Sequence, residues 1–126
     1  MLEVPSSRRR AIVTVTTVAV VHVIGKVLAE YSISKAGLAH MVQHFAARLA
    51  PDGIHCYEVR PGMMKTAMTS TSREKYDGLI ADGFVPGRWG ELTEIGAAIA
   101  SMASGDISYA VGQTIHVDGG MRMKLF

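Results

Sequence analysis

The sequence predicts a parallel α/β sheet in a β-α-β-α-β order, and two observations carry that prediction. Residues 11–21 read Ala-Ile-Val-Thr-Val-Thr-Thr-Val-Ala-Val-Val, β-branched or apolar throughout, as suits a strand covered on both faces. Two later short apolar runs are separated from it, and from each other, by helical patterns long enough to cross over. Such crossovers make the strands parallel and the connections right-handed.

The elements follow in order. After the first strand a short loop around Gly25-Lys26 leads into a helix over 31–50. Ile33, Gly37, Leu38, Met41, Val42, Phe45, Ala46 and Leu49 fall there at three- and four-residue steps. Pro51-Asp52-Gly53 stops this helix, since Pro cannot continue the ladder and Gly accepts positive φ. Ile54–Val59 is a second strand, closed by Arg60-Pro61-Gly62. Residues 66–83 are rich in Ser and Thr, then amphipathic through Tyr76, Leu79 and Ile80, which reads as a helical flap over a site. Pro86 to Gly90 is a turn anchored by Trp89. A helix over about 92–103 turns Ile95, Ile99 and Met102 inward and ends near Ser104-Gly105. Gln113–Val117 is the third strand, and Asp118-Gly119-Gly120 a tight turn after it.

The totals bound what this fold can do. A chain of 126 residues is one domain or a piece of one, and 48% apolar with 19% charged residues is a globular balance. A net charge of +2 gives no argument for nucleic acid, and Arg8-Arg9-Arg10 is a solvated strand entry. The single Cys56 excludes a disulfide framework and cysteine-based zinc spacing; it reads as a small hydrophobe in a strand. The arginines ahead of residues 11–24 resemble a targeting signal, but the run is dominated by Val and Thr. It is also shorter than the roughly 20 apolar residues a bilayer span needs, so a cytoplasmic chain without a membrane partner is expected. His40 and His44 stand one turn apart, yet no Asp, Glu or Cys lies at ligand spacing, and no metal site is assigned. His22, His55 and His116 receive no role. Met63, Met64 and Met68 read as packing, at most lining a substrate-side pocket.

One motif carries chemistry. Tyr31 and Lys35 are four residues apart, so on a helix they share a face with Cβ atoms roughly 5–6 Å apart. The ammonium stabilises the phenolate, which suits a tyrosine to exchange a proton near neutral pH.

Further motifs stand at matching intervals downstream: Arg60-Pro61-Gly62 with Thr66, Gly90-Glu91 opening a helix, and Gly112-Gln113 through Val117-Asp118-Gly119-Gly120. With Tyr31-x-x-x-Lys35 they resemble the C-terminal half of the classical short-chain dehydrogenase/reductase family, over about residues 8–122. The flavour is similar to 3-oxoacyl-thioester (acyl carrier protein) reductases. The resemblance implies a partial Rossmann-like, doubly wound parallel sheet of about three strands. It implies an NAD- or NADP-dependent oxidoreductase that transfers hydride between the nicotinamide and a carbonyl or secondary alcohol of a small-molecule substrate. Tyr31 would be the general acid/base. Lys35 would support it and hold the nicotinamide ribose. Pro61, Gly62 and Met63 would form the wall against the nicotinamide, with Gly62 letting backbone approach the cofactor. Thr66 would contact the carboxamide or phosphates, and 66–84 would be the substrate lid.

Three departures limit the carry-over. No G-x-x-x-G-x-G occurs, so the Gly-rich half that would hold a pyrophosphate is expected to be missing. The family's carbonyl-polarising serine falls on Val18; one inserted loop residue places Thr17 there, with Thr16 beside it. The family's relay asparagine has no counterpart, because the sequence contains no Asn. The expected partner is a second copy or a complementing chain that finishes the cleft. The alternative is a non-catalytic truncated remnant or dimerisation module of the same fold. A Thr- or Ser-based hydrolase has no G-x-S-x-G elbow to support it.

Overall fold

The structure is a computed structural model that describes residues 10–24 and 28–123. The loop expected around Gly25-Lys26 and most of the arginine run lie outside the described residues. Three parallel strands form one sheet in the order β1-β2-β3: β1 (Arg10–Val15), β2 (Ile54–Pro61) and β3 (Thr114–Val117). The α/β class and the parallel sheet are as expected. The connections are helical, with α1 (Ala29–Leu49) between β1 and β2, and α2 (Arg73–Gly83) and α3 (Leu92–Ser104) between β2 and β3.

β1 is shorter than the 11–21 expected from composition. It ends at Val15, and Val18–Val20 form a single 3-10 turn capped by Thr17, whose Oγ1 accepts the Ala19 N–H at 3.2 Å. A β-branched run favours strand, but a threonine hydroxyl that caps a turn breaks the ladder locally. α1 ends as expected in Ala50-Pro51-Asp52 and Gly53, whose φ of 70° is left-handed. α3 opens with a capping box: the Glu91 N–H donates to Glu94 at 2.8 Å. The Arg88 guanidinium and that backbone N–H hold the Glu94 carboxyl down to about 2.

Alternation along β2 divides the core between two layers. Tyr57 and Val59 face α3, packing with Met64, Ile95 and Met102 and with Ala11, Val13, Ile115 and Val117 from the flanking strands. Cys56 faces α1 and packs on Val42 and Ala46; burial pushes its thiol up, which keeps it unreactive. The apolar positions of α1 are therefore not one inward face. Ala39, Val42 and Ala46 are buried, whereas Ile33 is 72% exposed and Met41 and Phe45 are 43% and 46% exposed. Among the described residues β1 pairs only with β2, so its other edge is open. Beside that edge, Ile12, Thr14, Met41 and Phe45 line a shallow apolar groove of about 130 Å³.

Candidate functional site

In an open α/β sheet, ligands bind outside the carboxyl ends of the strands. Here those ends are Val15, Pro61 and Val117, followed by Thr16-Thr17, Gly62-Met63 and Asp118-Gly119. The helix leaving β1 begins there too. In its first two turns Lys35 Nζ lies 6.0 Å from the centre of the Tyr31 ring. At about 100° per residue the two are some 40° apart around the axis, on the flank that also carries buried Ala39, Val42 and Ala46. Tyr31 is 40% exposed, and the Ser34 hydroxyl donates to its carbonyl at 2.8 Å.

The end of β1 is fixed by a group that sequence reasoning missed. Glu58, 2% exposed in the middle of β2, accepts from three neighbours. The Thr16 hydroxyl donates to its Oε1 and the Thr114 hydroxyl to its Oε2 at 2.7 Å. Arg60 donates through Nη2 to both oxygens, at 2.9 and 2.7 Å, and through Nε to Oε1 at 3.0 Å. Burial pushes the carboxyl up; the hydrogen bonds from Thr16, Thr114 and Arg60, with the Arg60 charge, outweigh it and hold Glu58 below its ordinary value. One carboxylate in the middle of β2 thus ties the residue that follows β1 to the first residue of β3. Beside it, burial and the Arg122 and Arg60 charges push His116 down against the pull of Asp118 and Glu58, which favours the neutral ring. The 3.9 Å from its Nδ1 to Asp118 is too long for a hydrogen bond.

The expected cofactor wall falls at the end of β2. Gly62 donates its N–H to Val117 at 3.0 Å. A Cβ on Gly62 would stand 2.7 Å from Asp118 Cα, so the missing side chain first makes room for the β3 turn. Gly62→Ala is expected to destabilise the fold by about 1–3 kcal/mol, the cost of overpacking, read as a lowered urea midpoint at unchanged slope. Met63 accepts the Gly90 N–H at 3.0 Å and packs against the Ile80, Phe84 and Trp89 cluster. Met64 is buried in the core and Met68 is 86% exposed, so the three methionines do not form one pocket lining. Thr66 and Thr69 bond reciprocally, each hydroxyl accepting the other's N–H at 3.2 and 3.0 Å.

Residues 66–84 follow as a 3-10 turn at Ser70–Ser72 and then α2. Two ties hold their far end. The Trp89 indole N–H donates to Asp77 at 2.7 Å, and the Val85 N–H to Gly119 at 3.0 Å.

A groove of about 460 Å³ lies between the Val18–Val20 turn and the start of α1, lined by residues such as Val21, Ile24, Leu28, Ser32 and Ala36. Tyr31, Lys35 and Thr17 do not line it, although Ser32 and Ala36, the chain neighbours of the pair, border it, as do Ala19 and Val20 of the turn that Thr17 caps. The structure therefore brings Tyr31 to Lys35, and Pro61, Gly62 and Met63 to the β3 turn. It keeps Thr66 in its own hydroxyl pair and Thr17 in its capping turn. Among the described residues no group of three or more His, Cys, Asp or Glu could hold a metal, and no helix is long and apolar enough to cross a membrane.

Comparison with known proteins agrees with this architecture. A family model described as Enoyl-(Acyl carrier protein) reductase matches residues 3–122. The 3-oxoacyl-[acyl-carrier-protein] reductases of Rickettsia felis and Salmonella typhimurium are 40% and 41% identical over 95 and 97 residues. Each alignment covers 75% of this chain and 39% of the relative, so the chain spans about two fifths of their length. The crystal structure of a 3-oxoacyl-[acyl-carrier protein] reductase from Brucella melitensis in complex with NAD superposes with a TM-score of 0.90 at 45% identity. It matches 96% of this chain and 48% of that one.

Proposed function

The chain belongs to the short-chain dehydrogenase/reductase family, and on that premise we propose that it carries the proton-transfer half of an NAD- or NADP-dependent reductase of carbonyl compounds. The observation that carries this reading is Lys35 one turn from Tyr31, on the helix that leaves the carboxyl end of β1. The residues present suit one end of such a cofactor. An ammonium, a phenol and the Thr66 loop offer hydrogen-bonding chemistry for a ribose and a carboxamide, whereas no Gly-rich turn for a pyrophosphate occurs in the sequence. When bound, the cofactor supplies or accepts hydride. Tyr31 moves the proton at the substrate oxygen, Lys35 stands beside the phenol and orients the ribose, and Thr17 hydrogen-bonds the carbonyl oxygen. Pro61, Gly62 and Met63 form the wall, and 66–84 excludes water as a lid. The kinship with 3-oxoacyl-[acyl-carrier-protein] reductases makes a 3-oxoacyl thioester the first substrate to try.

The second reading, a non-catalytic interaction module, rests on the β1 edge that is open among the described residues and on the exposed Met41 and Phe45 beside it. Fluorescence titration with NADH and NADPH separates the two. Micromolar binding that is lost in Lys35→Ala supports the reductase; no binding up to millimolar cofactor supports the module.

The open edge of β1 and the apolar groove beside it lead to a further expectation. The isolated 126-residue chain self-associates through them. Sedimentation velocity at micromolar concentration is expected to show dimers or larger species, and Met41→Lys with Phe45→Lys to shift them toward monomer. A monodisperse wild-type monomer would refute it.

A further inference from the structure

We propose that His40 and His44 form a two-imidazole clamp for a borderline divalent cation of the zinc class, on the face of α1 turned away from the Tyr31–Lys35 pair. Both residues are exposed, one turn apart, with their Nε2 atoms 3.1 Å from each other. The ring planes are perpendicular and the ring centres 4.7 Å apart. Zinc–imidazole bonds run about 2.0–2.1 Å, so two nitrogens separated by this distance subtend about 98° at a shared ion. That lies between the about 90° of a square-planar site and the about 109° of a tetrahedral one, and both geometries occur in sites of this chemistry. The nitrogens already stand at a chelating separation, and a turn of the two exposed rings brings both lone pairs onto one ion. In the absence of an ion, a hydrogen on one Nε2 bonds to the lone pair of the other, and a shift of that ring to its Nδ1–H tautomer frees both Nε2 lone pairs for a metal with no net change in protonation.

The clamp is separate from the proposed chemistry. At about 100° per residue, His40 and His44 stand roughly 180–220° around α1 from Tyr31. No acidic or thiol ligand joins them among the described residues, so the remaining coordination positions belong to water or a small anion. Imidazole with open positions suits zinc, nickel and copper and disfavours magnesium and calcium. The ion would pin one turn of the helix that carries Tyr31, stabilising the folded chain by mass action.

The test is titration of the metal-free chain with zinc chloride, read by calorimetry, thermal midpoint and sedimentation. One ion per chain is expected, with a raised midpoint and no effect of magnesium chloride. His40→Gln and His44→Gln should each weaken binding at least tenfold without changing the metal-free midpoint, because both side chains are exposed. His22→Gln, altering a histidine outside the clamp, should leave binding intact. Absence of zinc binding at millimolar metal, or binding that survives both His→Gln substitutions, overturns the proposal. Half an ion per chain with metal-driven dimers overturns the single-chain clamp in favour of a site shared by two copies.

Discussion

Tyr31→Phe is expected to lower nicotinamide-dependent carbonyl reduction by about 10²–10⁴-fold, the usual contribution of a positioned acid or base, while cofactor affinity changes little. The substitution removes one oxygen from a residue that is 40% exposed at the start of α1, so packing is nearly unaffected. Lys35→Ala should behave differently. It removes the cation beside the ring and a donor to the proposed cofactor, so binding and turnover fall together. Following the absorbance of reduced cofactor with a 3-oxoacyl thioester, alongside fluorescence titration, separates the two effects. A Tyr31→Phe variant that keeps wild-type turnover would remove the phenol from the mechanism.

The largest stability effect is expected at Glu58. Glu58→Ala strands the Arg60 guanidinium, whose side chain is 11% exposed, and leaves the Thr16 and Thr114 hydroxyls without their acceptor. Removing one partner of a buried ion pair costs about 3–5 kcal/mol, against a total of about 5–15 kcal/mol for a typical domain. Loss of a cooperative urea transition, or a much lowered midpoint, is therefore expected, with Glu58→Gln milder because the amide oxygen still accepts. The pH dependence follows with a definite sign. The folded carboxyl titrates below its unfolded value of about 4.3, so its contribution is complete above that pH and is lost as pH falls through the folded value. The wild-type urea midpoint should drop through that acid range more steeply than that of Glu58→Gln. Parallel profiles would show that the carboxylate contributes nothing through its charge.

Much of the fold was legible because its signals are local. Pro51-Asp52-Gly53 stops α1 where backbone chemistry requires, and the β-branched runs lie on the sheet. Tyr31 and Lys35 could be placed together because helical spacing alone sets their distance. Three features were not legible. The end of β1 was overrun because Thr16 and Thr17 favour strands as residue types, while their hydroxyls are used here for a buried bond and a turn cap. Glu58 looked like one polar residue among apolar ones, because its partners Thr16 and Thr114 lie 42 and 56 positions away. The exposed side of α1 was hidden for another reason: apolar residues occur nearly all round that helix, so periodicity could not say which flank meets the sheet.

Trp89 is the chain's one tryptophan, and its indole is bonded across to Asp77 on α2. Any movement that parts α2 from the Trp89 turn must break that bond and wet an aromatic ring now 8% exposed. The molecule therefore contains its own optical gauge: a red shift and loss of ultraviolet emission would report the separation of α2 from this turn, without an added label.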